Sequence, residues 1–220
     1  MIFLNLKTYA ESVERYSGFV NIARNVASET GVRIVVCPPM TLLADSVKLF
    51  DDIYSQHVDS YLPGAHTGSI TAQMLKSAGI KGSLLNHSEK RMPVGEIKLA
   101  IEQLHTASLE SLVCVANATE AGKFADLNPY PQMIAVEPPE LIGSGVSVST
   151  AKPEVIVASA NAIRKANPNG KIKFLCGAGI GNPQDMKRAL ELGADGILLA
   201  SAYVKAKNPN EFLNGLARMF

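Results

Sequence analysis

The sequence predicts an α/β fold, a closed (β/α)8 barrel in which eight parallel strands alternate with surrounding helices. Short apolar runs rich in Val, Ile and Leu recur along the chain. Each run is followed by a loop containing Gly, Pro, Asn or Ser and then by a segment of helical periodicity. Eight such units in 220 residues place the chain near the lower size limit for this fold.

The element boundaries are predicted from the apolar runs and from the residues at their ends. The predicted strands are Ile2–Leu6, Val32–Cys37, Ile53–His57, Ser83–Asn86, Leu112–Ala116, Met133–Val136, Lys173–Cys176 and Gly196–Ala200. The predicted helices are Ser12–Glu29, Ala72–Ser77, Gly95–His105, Glu120–Ala125, Pro153–Ala166, Pro183–Leu192 and Pro209–Met219. Thr30 and Gly31 are typical of a helix end, and Asn182 before Pro183 is typical of a helix start.

An open, doubly wound sheet is the alternative architecture, but the nucleotide-binding motifs often found in such sheets are missing. No predicted strand is followed by G-x-G-x-x-G with an acidic residue about 20 residues later. The sequence also contains no G-x-x-x-x-G-K-[ST] loop. Because it shows no linker, low-complexity tract or repeat beyond the βα alternation, we expect one domain over residues 1–220.

Composition and charge exclude several other classes of protein. A content of 47% hydrophobic and 19% charged residues is typical of a soluble globular domain, and this length requires neither disulfides nor a structural metal. The formal net charge of +1 leaves no global field to attract nucleic acid or anionic lipid. The apolar start of the chain breaks at Asn5 and Lys7, too early for a signal peptide or a membrane span. We therefore expect a cytoplasmic protein with no nucleic-acid or membrane partner.

The three cysteines, Cys37, Cys114 and Cys176, each lie inside an apolar run. They are odd in number, and no two have the spacing of metal ligands. The sequence therefore predicts buried, reduced thiols and no metal site.

Polar and charged residues follow three of the predicted strands. Asn5 and Lys7 come after the first strand, His87 follows the fourth and Glu137 follows the sixth. In a barrel the active site is built at the carboxyl ends of the strands, so these side chains are predicted to meet. A cation, an imidazole and a carboxylate suit proton transfer beside a carbonyl group.

Small residues follow the last three predicted strands instead. They are Ile142-Gly143-Ser144-Gly145, Gly177-Ala178-Gly179 and Ala200-Ser201. Because glycine has no side chain and alanine and serine have small ones, their backbone N–H groups can approach an anion closely. Phosphate sites also recur in the loops after strands seven and eight of barrels. The sequence predicts a small phosphate ester as the ligand.

Each of these residues also has an ordinary structural interpretation. Lys7 taken alone fits an exposed rim lysine, Asn5 a turn residue, His87 a structural histidine and Glu137 a polar strand end. The functional interpretation is favoured because all of them fall at the same end of consecutive βα units. The other histidines, His57, His66 and His105, have no such support.

The ordered motifs resemble the triosephosphate isomerase family, particularly its short archaeal form. The resemblance spans Asn5 to about Ser201 and implies a TIM barrel. It also implies the interconversion of dihydroxyacetone phosphate and glyceraldehyde 3-phosphate in glycolysis and gluconeogenesis, with no cofactor. The motifs that carry it are Asn5-x-Lys7, SQHVD at 55–59, GAHTG at 64–68, NHSEKR around His87 and VEPPELIGSG around Glu137.

The resemblance also implies a role for each matching residue. Glu137 would be the catalytic base, His87 a neutral hydrogen-bond donor to the substrate oxygens, and Lys7 with Asn5 would stabilise the developing negative charge. Ser88 would hold the resting base, Glu89 would pair with the lysine, and residues 138–145 would form a mobile lid. The residues implied to bind substrate or its phosphate are Asn5, Lys7, Ile142, Gly143, Gly177, Ala178, Ala200 and Ser201.

The chain departs from many relatives in two places. It has no Trp, so Pro138-Pro139-Glu140-Leu141 replaces the tryptophan common at the first hinge of the lid. In the loop after strand seven it has Cys176-Gly177-Ala178-Gly179 where many relatives have Tyr-Gly-Gly-Ser. A tyrosine latch and a serine hydroxyl near the phosphate are therefore missing.

The resemblance implies a homodimer, because Thr67 matches a residue that reaches the partner's active site. A tetramer is possible because short archaeal relatives often form one. Two other functions are compatible with parts of the pattern. One is another phosphosugar enzyme built on a barrel, and the other is a non-catalytic barrel that senses a phosphosugar. The short loops weigh against a larger substrate, and a sensor would not need Glu137.

Overall fold

A computed structural model describes residues 1–138 and 147–220. Its strands are β1 (Ile2–Asn5), β2 (Ile34–Cys37), β3 (Tyr54–Ser55), β4 (Gly82–Leu85), β5 (Glu110–Val115), β6 (Met133–Val136), β7 (Lys173–Cys176) and β8 (Gly196–Leu199). Its α-helices are α1 (Ala10–Glu14), α2 (Tyr16–Thr30), α3 (Leu43–Val47), α4 (Ala72–Ser77), α5 (Val94–Thr106), α6 (Ala118–Ala125), α7 (Val148–Ala151), α8 (Pro153–Ala166), α9 (Pro183–Glu191), α10 (Ser201–Val204) and α11 (Pro209–Ala217). A 3-10 turn at Met40–Leu42 precedes α3.

The eight strands form one parallel sheet that closes on itself. The order is β2-β1-β8-β7-β6-β5-β4-β3. A parallel bridge between Val36 and Ile53 joins the two ends, and the Val36 N–H donates to the Asp52 carbonyl at 3.0 Å. The predicted (β/α)8 barrel is confirmed, and the doubly wound open sheet is excluded.

The joint between β2 and β3 is reinforced at the end of the barrel where the strands begin. The Arg33 guanidinium binds both carboxylate oxygens of Asp52 at 3.0 Å. It also donates to Glu110 at 2.6 Å, and Glu110 accepts a hydrogen bond from the Tyr54 hydroxyl. Because β3 pairs through only two residues, these charge-assisted bonds stabilise the joint with the fewest ladder hydrogen bonds.

Most predicted elements are found, with a few differences that have local causes. Strand β3 is shorter than predicted because the Ser55 hydroxyl donates to the His57 carbonyl and turns the chain. The first predicted helix is two helices, since Arg15 leaves helical geometry with φ −118° and ψ 14°. Helix α2 ends at Gly31 in the left-handed conformation (φ +71°), and the Asn182 side chain caps α9, both as predicted. The short helices α3, α7 and α10 were not predicted.

The core has two layers because alternate strand residues point to opposite faces. The outer layer lies between the strands and the helices and contains residues such as Ile2, Leu4 and Val136. The residues that fill the barrel interior are Phe3, Val35, Cys37, Tyr54, Leu84, Leu112, Cys114, Met133, Ala135, Leu175 and Leu198. The next inward-facing residue of a strand, two positions after its residue in this inner layer, lies at the carboxyl end of the barrel.

The three cysteines are free and buried, as predicted. Burial raises the pKa of each thiol above its usual range. Within residues 1–138 and 147–220, no helix combines the length and the apolar character needed to cross a membrane.

Candidate active site

The carboxyl ends of the strands surround a cavity of about 310 Å³, a size that suits a small ligand. Ile142 and Gly143, and residues 139–145 of the predicted lid, lie outside the described residues. All the other residues predicted for catalysis or phosphate binding line this cavity: Asn5, Lys7, His87, Glu137, Gly177, Ala178, Ala200 and Ser201.

A backbone turn after β1 directs Lys7 into the cavity. Lys7 has a left-handed φ of +50°, a conformation that is costly for a residue with a Cβ. The buried Asn5 side chain accepts the Lys7 N–H at 3.0 Å. The Gln56 amide donates to the carbonyls of Lys7 and Cys37 at 2.9 and 3.0 Å. Two side-chain amides therefore stabilise the turn that positions this lysine.

The Lys7 ammonium is paired with Glu89. Its Nζ lies 2.7 Å from Glu89 Oε1, the pairing that the resemblance implies. The lysine side chain is only 14% exposed, whereas the glutamate is 57% exposed, so the pair bridges the cavity wall and the solvent. The pairing fixes the position of the positive charge.

His87 reaches the cavity through a second left-handed turn. Strand alternation alone would direct Asn86 inward and His87 outward, but Asn86 has φ +58°. Its side chain donates to the Cys114 carbonyl at 2.9 Å and accepts the Met92 N–H at 3.0 Å. The next residue, His87, consequently lines the cavity and is 7% exposed.

The local hydrogen bonding holds His87 in one neutral form. Its Nδ1 accepts the Glu89 N–H at 3.2 Å, which leaves the proton on Nε2. Burial lowers the pKa of His87 to about 4, and the positive charge of Lys7 acts in the same direction. The imidazole is therefore uncharged at neutral pH and can donate a hydrogen bond from Nε2.

Glu137 lies directly after β6 and is almost completely buried. Its side chain is 5% exposed, and its Oε1 lies 3.6 Å from His87 Nε2. The other carboxylate oxygen, Oε2, has no hydrogen-bond partner among the described residues. A buried carboxylate with an unpaired oxygen is costly, and such costs are typical of functional sites.

Burial also changes the ionisation of this carboxyl group. It raises the pKa of Glu137 from 4.5 to about 7, against the opposing effects of the adjacent Cys114 thiol and of Lys7. The group can thus both take up and release a proton near neutral pH.

Gly177 makes room for the Glu137 side chain. A Cβ at position 177 would clash with Glu137 Cγ and would lie 3.2 Å from its Cδ. The Gly177 N–H donates to the Val136 carbonyl at 2.9 Å, which places this amide in the β6–β7 ladder. Gly177 therefore lines the cavity as the surface against which the carboxylate packs.

Backbone amides are available at the end of the cavity formed by the loops after β7 and β8. The N–H groups of Gly179, Ser201 and Ala202 have no acceptor within the part of the chain that is described. Gly179 has φ +70°, a conformation that a residue with a side chain adopts rarely. These amides can bind an anion without any charged side chain.

The remaining predicted residues are placed as follows. Ser88 borders a small gap behind Glu137, together with Cys114 and Arg91. Among the other histidines, Nε2 of His57 lies 3.2 Å from Asp59, His66 stacks on Tyr61 and His105 is exposed near the end of α5.

Four residues that contribute to this region were not predicted as site residues from the sequence. Gln56 and Asn86 stabilise the two left-handed turns, although both lie inside quoted motifs. Tyr9 and Lys205 line the cavity, with Lys205 Nζ 4.9 Å from the centre of the Tyr9 ring. The only sequence signal for Lys205 is its position one helical turn after Ser201.

The chain is similar to known proteins over nearly its whole length. The sequence model of the family described as triosephosphate isomerase matches residues 1–216. The triosephosphate isomerase of Methanocaldococcus jannaschii is 43% identical over 222 residues, covering 99% of each chain. That of Methanothermobacter thermautotrophicus is also 43% identical, over 97% of this chain and 92% of its own.

A solved structure agrees at the level of the fold. The crystal structure of triosephosphate isomerase from Bartonella henselae matches with a TM-score of 0.73 and 21% identity, covering 99% of this chain and 97% of that one. On the sequence matches, this chain belongs to the triosephosphate isomerase family.

Proposed function

We propose that this cavity interconverts dihydroxyacetone phosphate and D-glyceraldehyde 3-phosphate by proton transfer through an enediolate intermediate. The observation that carries the proposal is the pairing of the buried Glu137 carboxylate with the neutral His87 imidazole, 3.6 Å apart, in a cavity that also holds Lys7. The names of the curated relatives support the same reaction.

In this proposal Glu137 is the base. It removes a proton from the carbon beside the carbonyl and returns it to the neighbouring carbon, so aldose and ketose interconvert without any redox partner. A base is most effective when its pKa lies near the working pH, and burial brings the pKa of Glu137 to about 7. The space provided by Gly177 fixes the direction from which the carboxylate attacks.

His87 and Lys7 act on the oxygen atoms of the substrate. As negative charge develops on the carbonyl oxygen, His87 donates a hydrogen bond from Nε2–H and then transfers this proton to that oxygen. The imidazole regains a proton from the neighbouring hydroxyl of the enediolate, so the two oxygens exchange their protonation states. The Lys7 ammonium and the Asn5 amide add electrostatic stabilisation of this negative charge. Glu89 acts through Lys7, by holding the ammonium in place.

The phosphate group lies at the opposite end of the cavity, against the loops after β7 and β8. The free amides of Gly179, Ser201 and Ala202 donate to its oxygens, and Ala178 and Ala200 leave room for it to approach.

A phosphosugar sensor is less favoured than an isomerase. A sensor needs the phosphate-binding loops but gains nothing from a buried carboxylate facing the ligand, and burying that charge destabilises the protein. The short loops of the chain weigh against a larger phosphosugar.

We also propose that residues 1–220 act as one cytoplasmic domain that assembles as a homodimer or a tetramer. The support for assembly is the loop between β3 and α4, where Tyr61 is 45% and Leu62 63% exposed and Thr67 is exposed beside them. Apolar side chains at the tip of an exposed loop are typical of an interface.

Sedimentation velocity will test the assembly. We expect the wild type to sediment with at least twice the chain mass, and Leu62→Glu to shift it towards the monomer, because a charge replaces an apolar contact. A wild type that is monomeric at micromolar concentration would contradict the proposal.

The Glu137→Gln variant tests the reaction and the base together. Turnover of glyceraldehyde 3-phosphate in a coupled assay should fall by about 10²–10⁴-fold, because the amide cannot take up the proton. Binding of inorganic phosphate should change little. Glu96→Gln removes an exposed carboxylate on α5 and is the matched control. If Glu137→Gln turned over at the wild-type rate, Glu137 would not be the base.

The same variant should change the pH dependence of stability. The pKa of Glu137 is higher in the folded protein than in the unfolded chain, so the folded state binds this proton more tightly. The resulting contribution to the free energy of unfolding is fully present below pH 4.5 and is lost as the pH rises through about 7. The shift from 4.5 to about 7 corresponds to about 3 kcal/mol. In denaturant unfolding, the free energy of unfolding of Glu137→Gln relative to that of the wild type should therefore increase by about 3 kcal/mol between pH 4.5 and 8. A difference that does not vary with pH would refute the raised pKa.

Gly177→Ala tests the packing of the base. The added Cβ must displace Glu137, and a shift of about 1 Å in a reacting group can cost about 10²-fold in rate. We expect kcat to fall by roughly 10–100-fold. The thermal midpoint of unfolding is measured in parallel to detect any loss of stability. Gly95→Ala, on an open helix surface where a Cβ meets nothing within 4 Å, is the control. Equal activity of the two variants would show that Gly177 is not needed to place the carboxylate.

A further inference from the structure

The charges around the cavity do not by themselves favour a phosphate dianion. Lys7 is already paired with Glu89 at 2.7 Å. His87 is neutral, and Glu137 adds negative charge whenever it is ionised. Apart from Lys205, the charged side chains of the described cavity wall sum to zero or to a negative charge, so they do not attract a phosphate ester from a distance.

Among the described residues that line the cavity, Lys205 is the one charged side chain besides Lys7 and Glu137. Within the part of the chain that is described, no carboxylate forms an ion pair with it. It lies at the rim, exposed, one helical turn after Ser201, whose carbonyl accepts the Lys205 N–H at 2.9 Å. No carboxylate of residues 1–138 and 147–220 therefore pairs with its positive charge beside the loops proposed to bind phosphate.

The Tyr9 ring holds this ammonium at the cavity. Lys205 Nζ lies 4.9 Å from the ring centre, a distance typical of a cation–π contact. Tyr9 is itself anchored, because its carbonyl accepts the Ser12 N–H at 3.0 Å at the start of α1. A neutral ring positions the lysine without cancelling its charge, which a carboxylate would do.

We infer that Lys205, positioned by Tyr9, attracts the phosphate group of the substrate electrostatically and increases its rate of capture. The inference rests on the proposed function, since it concerns how the same cavity acquires its substrate. Lys205 is a binding residue in this account and takes no part in proton transfer. Its effect must fall with added salt, because the Debye length shortens from about 30 Å at 0.01 M to about 3 Å at 1 M ionic strength.

The test compares Lys205→Gln with Lys207→Gln. Both remove one positive charge, but Lys207 is exposed and is not among the residues that line the cavity. At about 10 mM ionic strength we expect Lys205→Gln to lower kcat/KM for glyceraldehyde 3-phosphate by roughly 3–10-fold, mainly through KM. At about 0.5 M salt the loss should shrink to less than about twofold. Lys207→Gln should stay within about twofold of the wild type throughout.

A substrate without phosphate separates attraction from a structural effect. With D-glyceraldehyde, followed by deuterium incorporation from solvent, Lys205→Gln and the wild type should be equal. Tyr9→Leu should lower kcat/KM for the phosphorylated substrate only, and by less than Lys205→Gln, because the charge remains but is less well placed. Lys205→Arg should restore the wild-type value.

The outcomes distinguish this inference from the proposed function. A wild type that does not isomerise glyceraldehyde 3-phosphate would overturn both. If the wild type is active, the inference alone is overturned by an unchanged kcat/KM in Lys205→Gln at low salt, by an equal loss with glyceraldehyde, or by a loss that persists at high salt.

Discussion

The burial of the Glu137 carboxylate is the constraint on which the rest of the site depends. A carboxylate with 5% exposure and an oxygen without a partner among the described residues destabilises the folded protein. The same burial raises its pKa to about 7, which suits a base near neutral pH. Position 177 can only be glycine if this side chain keeps its place. The facing imidazole is neutral and so can donate a hydrogen bond at neutral pH.

Several side chains around the site stabilise two backbone turns whose conformation would otherwise be unfavourable. Lys7 and Asn86 both have positive φ, and each turn brings one functional side chain into the cavity. Side-chain amides offset the cost: Asn5 and Gln56 at the first turn, and the Asn86 amide itself at the second. These residues do not need to touch a substrate to matter, because the positions of Lys7 and His87 depend on them.

The period of two along the strands explains how far the sequence could predict the site. Asn5, Glu137 and Gly177 each continue the inward-facing register of their strand, so their meeting at the carboxyl end followed from the pattern. His87 does not, since it enters the cavity only through the left-handed turn at Asn86. The steric requirement for glycine at position 177, which the Glu137 side chain imposes from the neighbouring strand, could not be predicted from either segment alone. The break between α1 and α2 at Arg15 could not be predicted either, because the helical periodicity of the sequence continues through this residue.

The pKa of Glu137 can be measured in the free protein by an infrared titration. With isotope-labelled glutamate and Glu137→Gln as the blank, the carboxyl band of residue 137 is followed as a function of pH. We expect a pKa of about 7, well above the ordinary value of 4.5. A carboxyl group that titrated at its ordinary value would contradict this expectation, because the side chain would then be solvated and the site would have no base matched to neutral pH.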